Sequence, residues 1–194
     1  IDNRMKQGNK AVLVKDVQIG GGARVTIQSM TTQKTADIEK TLSQIHALKN
    51  AGCDIVRGAI LDEQDALAVK KIVEASPIPF VADIHFSPKL AVMAIENGAH
   101  KVRINPGNIG GETQIKTVAD CIKAHHIPVR VGANTGSIEK EYENLYGRGA
   151  KALVESALNS ASMLEKYGVE DIVLSVKASS VPLTVEAYSM LAKR

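Results

Sequence analysis

The sequence predicts an α/β fold, a TIM (β/α)8-type barrel of which six β-α units are present, preceded by a short β-hairpin within residues 10–20. Three observations carry this. Short aliphatic runs alternate without interruption with segments of helical period, which implies a parallel sheet covered by helices. No linker, low-complexity tract or second composition regime breaks the alternation. Polar residues recur at two-residue spacing near the C-terminal end of nearly every strand-like run, whereas a parallel sheet buried on both faces should read as continuous apolar sequence.

The length of 194 residues suits one sizeable core. A barrel needs eight units and typically about 250 residues, so two further units are expected after Arg194. The chain begins at Ile1 and stops directly after its last helical segment, and both ends read as cut. The expectation is therefore a single partial barrel domain over 1–194. An open doubly wound sheet is the rival closure, but the first strand carries no GxGxxG into its helix, so a dinucleotide-binding unit is not expected.

In chain order, "AVLVKDVQIGGG" reads as two short strands around Lys15-Asp16, and "RVTIQSM" as the first barrel strand. "DIEKTLSQIHALKNAG" places Ile38, Leu42, Ile45 and Leu48 at helical spacing and stops on Gly52. "DIVRG" is a strand and "EQDALAVKKIVEAS" a helix. "PFVADIHF" is a strand, followed by the helix "PKLAVMAIENG" with proline near its start. "KVRIN" and "ETQIKTVADCIKAHH" form the next unit. "PVRVGAN" leads through a long polar tract to "AKALVESALNSASMLEKYG", and "DIVLSVK" to the last helix, "VPLTVEAYSMLAKR".

Composition narrows the function classes. Hydrophobic residues make up 44% and charged residues 23%, ordinary for a soluble globular chain. Aromatics are 3% with no Trp, which disfavours a base-stacking surface, and a net charge of +3 is too mild to imply nucleic acid or membrane as partner. No apolar run is long enough to span a bilayer, and "IDNRMKQGNK" lacks the apolar core of a signal peptide, so a cytoplasmic location is expected. Cys53 and Cys121 stand far apart without a CxxC and make neither a zinc site nor a disulfide framework; Cys121 lies in an apolar helical stretch and is read as core.

Side chains alternate faces along a strand. The aliphatic set (Ile27, Val56, Ile84, Val102, Ile104, Val129, Val131, Val176) is assigned to the helix layer. The polar set then faces the barrel interior at its C-terminal mouth, where barrel enzymes keep their active sites. That set comprises Thr26 and Gln28, Arg57, Asp83 and His85, Arg103 and Asn105, Arg130 and Asn134, and Ser175 and Lys177.

Four cations, Arg57, Arg103, Arg130 and Lys177, would thus converge from four strands on one carboxylate, Asp83. Like charges in one cavity repel and are costly to desolvate, and an anion among them relieves both costs. Arginine forks match phosphate oxygens in two-point geometry. The glycines of "RINPGNIGG" are expected to bare backbone amides at the next helix start as part of an anion cradle. The ligand inferred is a polyanionic small molecule, most simply a diphosphate. His46, His100, His125 and His126 fall on helices or their ends and are read as structural. "TGSIEKEYENLYGRG", residues 135–149, reads equally as a lid or as a charged helical excursion.

The stretches "VQIGGGARVTIQSMTT", "AGCDIVRGA", "FVADIHF", "KVRINPGNIGG", "VRVGANTGSIEKE" and "LSVKASS", in order over nearly the whole chain, resemble the 4-hydroxy-3-methylbut-2-enyl-diphosphate synthase family of the bacterial non-mevalonate isoprenoid pathway. The resemblance implies a reductive opening of 2-C-methyl-D-erythritol 2,4-cyclodiphosphate to the linear allylic diphosphate. It implies electrons delivered by a 4Fe-4S cluster in a separate C-terminal domain, supplied by ferredoxin or flavodoxin, in a homodimer whose cluster domain closes over the partner's barrel. Carried over residue by residue, Arg57, Arg103, Arg130 and Lys177 correspond to the diphosphate-gripping cations. Asp83, Asn105 and Asn134 correspond to contacts to the substrate's hydroxyl end, with His85 and Ser175 beside them.

The departures are equally specific. No cluster ligands match here, and the catalytic carboxylate is expected beyond residue 194, so this chain alone is expected to be inactive. Thr135 stands where the family commonly has Ala, and Gly58 where it often has Val; either substitution is expected to bear on the pocket's shape. A non-redox phosphate-handling barrel, such as a pterin-binding synthase, and a non-catalytic phospholigand-binding barrel remain as alternatives.

Overall fold

A computed structural model describes residues 9–136 and 138–194. The polar N-terminus compared above with a signal peptide falls mostly in 1–8, outside the described residues, as does Ser137 of the polar tract. The expected hairpin forms from β1 (Val12–Val14) and β2 (Val17–Ile19), paired antiparallel with Val14 opposite Val17. The two-residue turn Lys15-Asp16 demands left-handed backbone, and Lys15 adopts it at φ 56°.

Six strands follow, β3 (Gln28–Met30), β4 (Ile55–Ile60), β5 (Phe80–Ile84), β6 (Lys101–Arg103), β7 (Val129–Asn134) and β8 (Ile172–Lys177), paired parallel in sequential order. β3 and β8 are the two ends of this sheet, so the described strands curve through a partial barrel without closing it. The expected first strand is shorter than "RVTIQSM": Val25 and Ile27 lie outside it and are exposed, so Ile27 does not join the helix-facing set.

Several helices start where a short polar side chain caps them. Asp37 caps α1 (Ile38–Asn50) and Asp62 caps α2 (Glu63–Ala75). Ser87 caps α3 (Pro88–Glu96), with proline at its first position. β6 runs into α4 (Pro106–Ile109), a single turn the sequence reading did not anticipate, and then α5 (Glu112–Ala124). The polar tract contains α6 (Lys140–Tyr146), which corresponds to the helical-excursion reading. α7 (Ala150–Glu165) and α8 (Val181–Leu191) complete the layer. α5, α6 and α7 have no side-chain cap.

The main core lies between sheet and helices, where Val56, Ile84, Val102, Ile104, Val129 and Val131 are buried as the alternation required. A second cluster packs Val176 and Ala133 against α7 and α8. A third, small cluster joins Val14, Ile55 and Val81 with Val17 and Ile19, so the hairpin seals the N-terminal base of the barrel. Among the described residues no helix is long and apolar enough to cross a membrane.

Candidate functional site

Strand register places the inward side chains in layers. Met30 is level with Arg57, and Arg57 with Val81 and Lys101. One layer higher, Asp83 is level with Arg103, and Arg103 with Arg130. Above these Gly132 faces Ser175, and at the rim Asn134 faces Lys177. Arg57, Asp83, Arg103, Arg130, Ser175, Asn134 and Lys177 thus rise toward one mouth, whereas Thr26 lies outside β3 and Gln28, level with Ile55, sits a layer below Arg57, at the base rather than the mouth.

Asp83 is the hub of the two lower layers and is 2% exposed. Its Oδ1 accepts from Arg103 Nη1 at 3.2 Å, and its Oδ2 lies 3.2 Å from Arg57 Nε. The Arg57 pair is close but not aligned as a hydrogen bond: among the described residues Arg57 Nε is a buried donor without a partner, as is Arg130 Nε. The Arg57 fork reaches Met30 Sδ at 3.3 Å instead. Burial draws the Arg130 guanidinium below its ordinary value; Tyr188 opposes this, Arg57 and Arg103 add to it, and Asp83 gives a smaller opposing pull. One carboxylate thus serves two guanidinium groups while a third stands beside them. Two buried N–H donors are left without an acceptor among the described residues.

The remaining members are less centred. His85 is past the end of β5, with Nε2 3.9 Å from Asp83 Oδ1 and its ring 6.1 Å from the exposed Phe86. Ser175 Oγ turns back to the Val131 carbonyl at 3.5 Å. A Cβ on Gly132 would collide with that hydroxyl and come within 2.6 Å of the Ser175 carbonyl, so glycine there permits the close approach of β7 and β8. Lys177 is exposed at the rim.

Two asparagines shape loops. Asn105 Oδ1 accepts from Gly107 N at 3.2 Å and Asn134 Oδ1 from Gly136 N at 2.9 Å. Of the amides expected to form the cradle, that of Gly107 is therefore already engaged.

Gly58, expected to influence the pocket, points out of it. A Cβ there would lie 2.6 Å from Phe80 Cζ and 3.2 Å from Thr35 Oγ1, so the Phe80 ring fills the volume a larger residue would need. Lys101 is the residue the sequence reading missed. It shares parity with Arg103 and Asn105, is 1% exposed, and among the described residues its Nζ has one acceptor, Gln28 Oε1, at 3.5 Å. Asp65 was also missed; it is fully buried and ties two mouth loops by accepting from Ala36 N at 2.8 Å and Leu61 N at 3.0 Å.

The four histidines read as structural lie away from the mouth. His100 Nδ1 accepts from Phe80 N at 3.1 Å, and burial lowers its pKa. Cys53 is buried, with Sγ 3.0 Å from the Ile55 carbonyl. Cys121 is half-buried against the core rather than within it, and burial raises its pKa. An iron–sulfur cluster is normally held by four thiolates. Two separate cysteines, and among the described residues no group of three Cys, His, Asp or Glu side chains, do not fit one.

The profile of the GcpE TIM-barrel domain matches residues 9–194. The 4-hydroxy-3-methylbut-2-en-1-yl diphosphate synthase (flavodoxin) of Caldanaerobacter subterraneus subsp. tengcongensis is 48% identical over 192 residues, covering 98% of this chain and 54% of the relative. The Nautilia profundicola protein of the same name is 52% identical over 182 residues, covering 94% and 52%. The chain spans about half the length of the curated relatives it matches.

Among solved structures, a Thermotoga maritima phospho-2-dehydro-3-deoxyheptonate aldolase aligns with TM-score 0.67 at 15% identity, covering 95% of this chain and 52% of its own. The Yersinia pestis dihydropteroate synthase aligns with TM-score 0.61 at 9% identity, covering 94% and 69%. These two likenesses carry the barrel architecture alone. With the profile spanning all but the first eight residues, the chain belongs to the family of the GcpE TIM-barrel domain.

Proposed function

We propose that this chain is the diphosphate-binding barrel of a 4-hydroxy-3-methylbut-2-enyl-diphosphate synthase, an oxidoreductase of isoprenoid biosynthesis that opens 2-C-methyl-D-erythritol 2,4-cyclodiphosphate by two-electron reduction. The observation that carries this reading is the saturated carboxylate. Asp83 already serves Arg57 and Arg103, while half-buried Arg130 stands beside them with a buried Nε that has no partner among the described residues. A diphosphate supplies the missing negative charge and acceptors.

In this reading Arg57, Arg103 and Arg130 grip the diphosphate from three adjacent strands, and Lys177 closes on it from the rim. Asp83 holds two guanidinium groups in register and presents its oxygens to the hydroxyl end of the substrate. Asn105 and Asn134 fix the loop turns at the strand ends and, with Ser175 and His85, offer polar contacts above the cations. A 4Fe-4S cluster would supply the electrons. The residues here do not hold one, so no step is routed through it; its ligands and the catalytic carboxylate belong, in this proposal, to chain beyond residue 194. The names of the relatives specify flavodoxin, and flavodoxin or ferredoxin is the donor proposed here. The arrangement proposed is a cytoplasmic homodimer in which the cluster domain of one subunit covers the barrel of the other.

The test is calorimetric titration of the full-length, anaerobically purified protein with the cyclodiphosphate, followed by assay with a reductant. Binding, a brown cluster-bearing protein and reductive turnover are expected. A colourless protein active without reductant would favour a non-redox phosphate-handling barrel. Binding without turnover by cluster-loaded protein would favour a phospholigand-binding barrel.

A further inference from the structure

The mouth reading leaves one buried titratable group without a task. Lys101 opens β6 and points inward, two residues before Arg103 and therefore roughly 7 Å deeper along the strand. It occupies the same layer as Arg57, below the layer of Arg103, Asp83 and Arg130.

Its surroundings are known on every side. β3 contributes Gln28, its single acceptor, and β4 contributes Arg57. β5 contributes Val81 at its own level and Asp83 one layer up, with that carboxylate turned to Arg57 and Arg103. β7 contributes Arg130. From below, Val14, Val17 and Ile19 of the hairpin close on Ile55 and Val81. An ammonium has three donors, and this one, 1% exposed, has a single long hydrogen bond among the described residues and two cationic neighbours.

We propose that Lys101 is the proton-coupled floor of the anion site: it takes a proton from solvent when a diphosphate enters above it and returns that proton when the ligand leaves. This inference rests on the mouth being the anion site. The charged form is opposed by burial and by Arg130 and Arg57 in the empty barrel, and it is favoured once an anion neutralises those two. Consistent with this, burial first and the two arginines second bring the Lys101 pKa down to about 8. The sign follows. Well below pH 8 the ammonium is already present and binding takes up no proton there. Above pH 8 the amine is neutral, and an anion that restores the ordinary lysine pKa of about 10.4 draws in a proton.

The test is titration of the full-length protein with inorganic pyrophosphate in buffers of different ionisation enthalpy, at pH 7 and pH 9, for wild type, Lys101→Met and Lys101→Arg. Neither substituted side chain titrates in this range, and pyrophosphate's own protonation cancels in the comparison. Wild type is expected to take up about 0.9 proton more than either variant at pH 9, and only about 0.1 more at pH 7. Equal uptake by wild type and a folded variant that both bind would overturn the inference and leave the mouth reading intact. Failure of wild type to bind pyrophosphate at either pH would overturn both.

A measurement on wild type alone guards against variants that do not fold. Its affinity for sulfate, whose charge is the same at pH 7 and pH 9, should weaken about tenfold over that range. Unchanged or tighter binding would overturn the coupling.

Discussion

Replacing Asp83 with asparagine separates what this carboxylate does for the fold from what the cations do for a ligand. The substitution keeps shape and removes charge. It leaves Arg57 and Arg103, whose side chains are 25% and 23% exposed, without the group they both face at 3.2 Å. Removing one partner of a buried ion pair costs about 3–5 kcal/mol. The partial exposure of both arginines discounts this to about 2–3 kcal/mol.

For a domain of this size that corresponds to a fall in Tm of roughly 4–12 °C without ligand. The effect on an anion has the opposite sign. At an effective dielectric of about 20 and a separation of about 6 Å, a unit charge contributes about 3 kcal/mol. Counter-ions and loosened geometry reduce this to about 1–2 kcal/mol, or roughly tenfold tighter pyrophosphate binding. Thermal denaturation of full-length wild type and Asp83→Asn, with and without saturating pyrophosphate, reads both quantities. The expected pattern is a lower Tm without pyrophosphate and a larger pyrophosphate-induced rise. An unchanged Tm would refute the hub role of Asp83, and a smaller rise would refute the charge argument for the mouth.

Other positions test the surrounding frame. Gly58→Val should cost about 1–3 kcal/mol by overpacking against Phe80, and Phe80→Leu should recover part of that loss in the double variant, read by denaturant unfolding. Asp65→Ala should cost about 2–4 kcal/mol, because it strips two mouth-loop amides of their acceptor; unchanged unfolding would show that the loops are held otherwise. His100 has a folded pKa below its unfolded value of about 6.5, so its contribution is complete above that pH and is lost as pH falls through and below it. His100→Gln should flatten the stability profile on the acid side of pH 6.5, measured by urea titration at a series of pH values.

Much of this arrangement was legible before any coordinates, and the reason is geometric. A strand has a period of two, and a parallel sheet has a direction, so Arg57, Asp83, Arg103 and Arg130 had to meet at one end. What escaped reading depends on contacts between distant segments. Lys101 obeys the same parity, but a lysine opening a strand reads as a solvated end; only the hairpin beneath it, some ninety residues earlier, makes it buried. Gly58 and Phe80 lie in different strands, and nothing local announces that one leaves room for the other. Asn105 and Asn134 follow the parity too, yet each is taken by an amide two residues on, a local bond that competes with any ligand. Ile27 failed for the opposite reason: β3 starts after it, so alternation there has no sheet to act on.

The edge of β8 bears on the proposal that further chain completes this barrel. Asp171 and Lys177 carbonyls accept from Val129 and Thr135 amides, so the odd residues of β8 face β7 and the even ones face outward. Of those outward groups, Val176 N is covered, donating to Tyr188 Oη at 3.3 Å. Beside it a cleft of about 380 Å³ is lined by Ile172, Val173, Leu174, Tyr188 and Leu191 of this end and by Val12 and Ile19 of the hairpin. An unpaired parallel edge beside an open cleft templates pairing with another chain. Expressed as these 194 residues alone, the protein should therefore associate with concentration, and the Leu174 amide should exchange hydrogen fast. In the full-length protein the same amide should be protected. Light scattering and hydrogen exchange read the two outcomes. A well-behaved monomer near 20.7 kDa with a protected Leu174 amide would mean that this edge is already satisfied and that the barrel needs no further strand on that side.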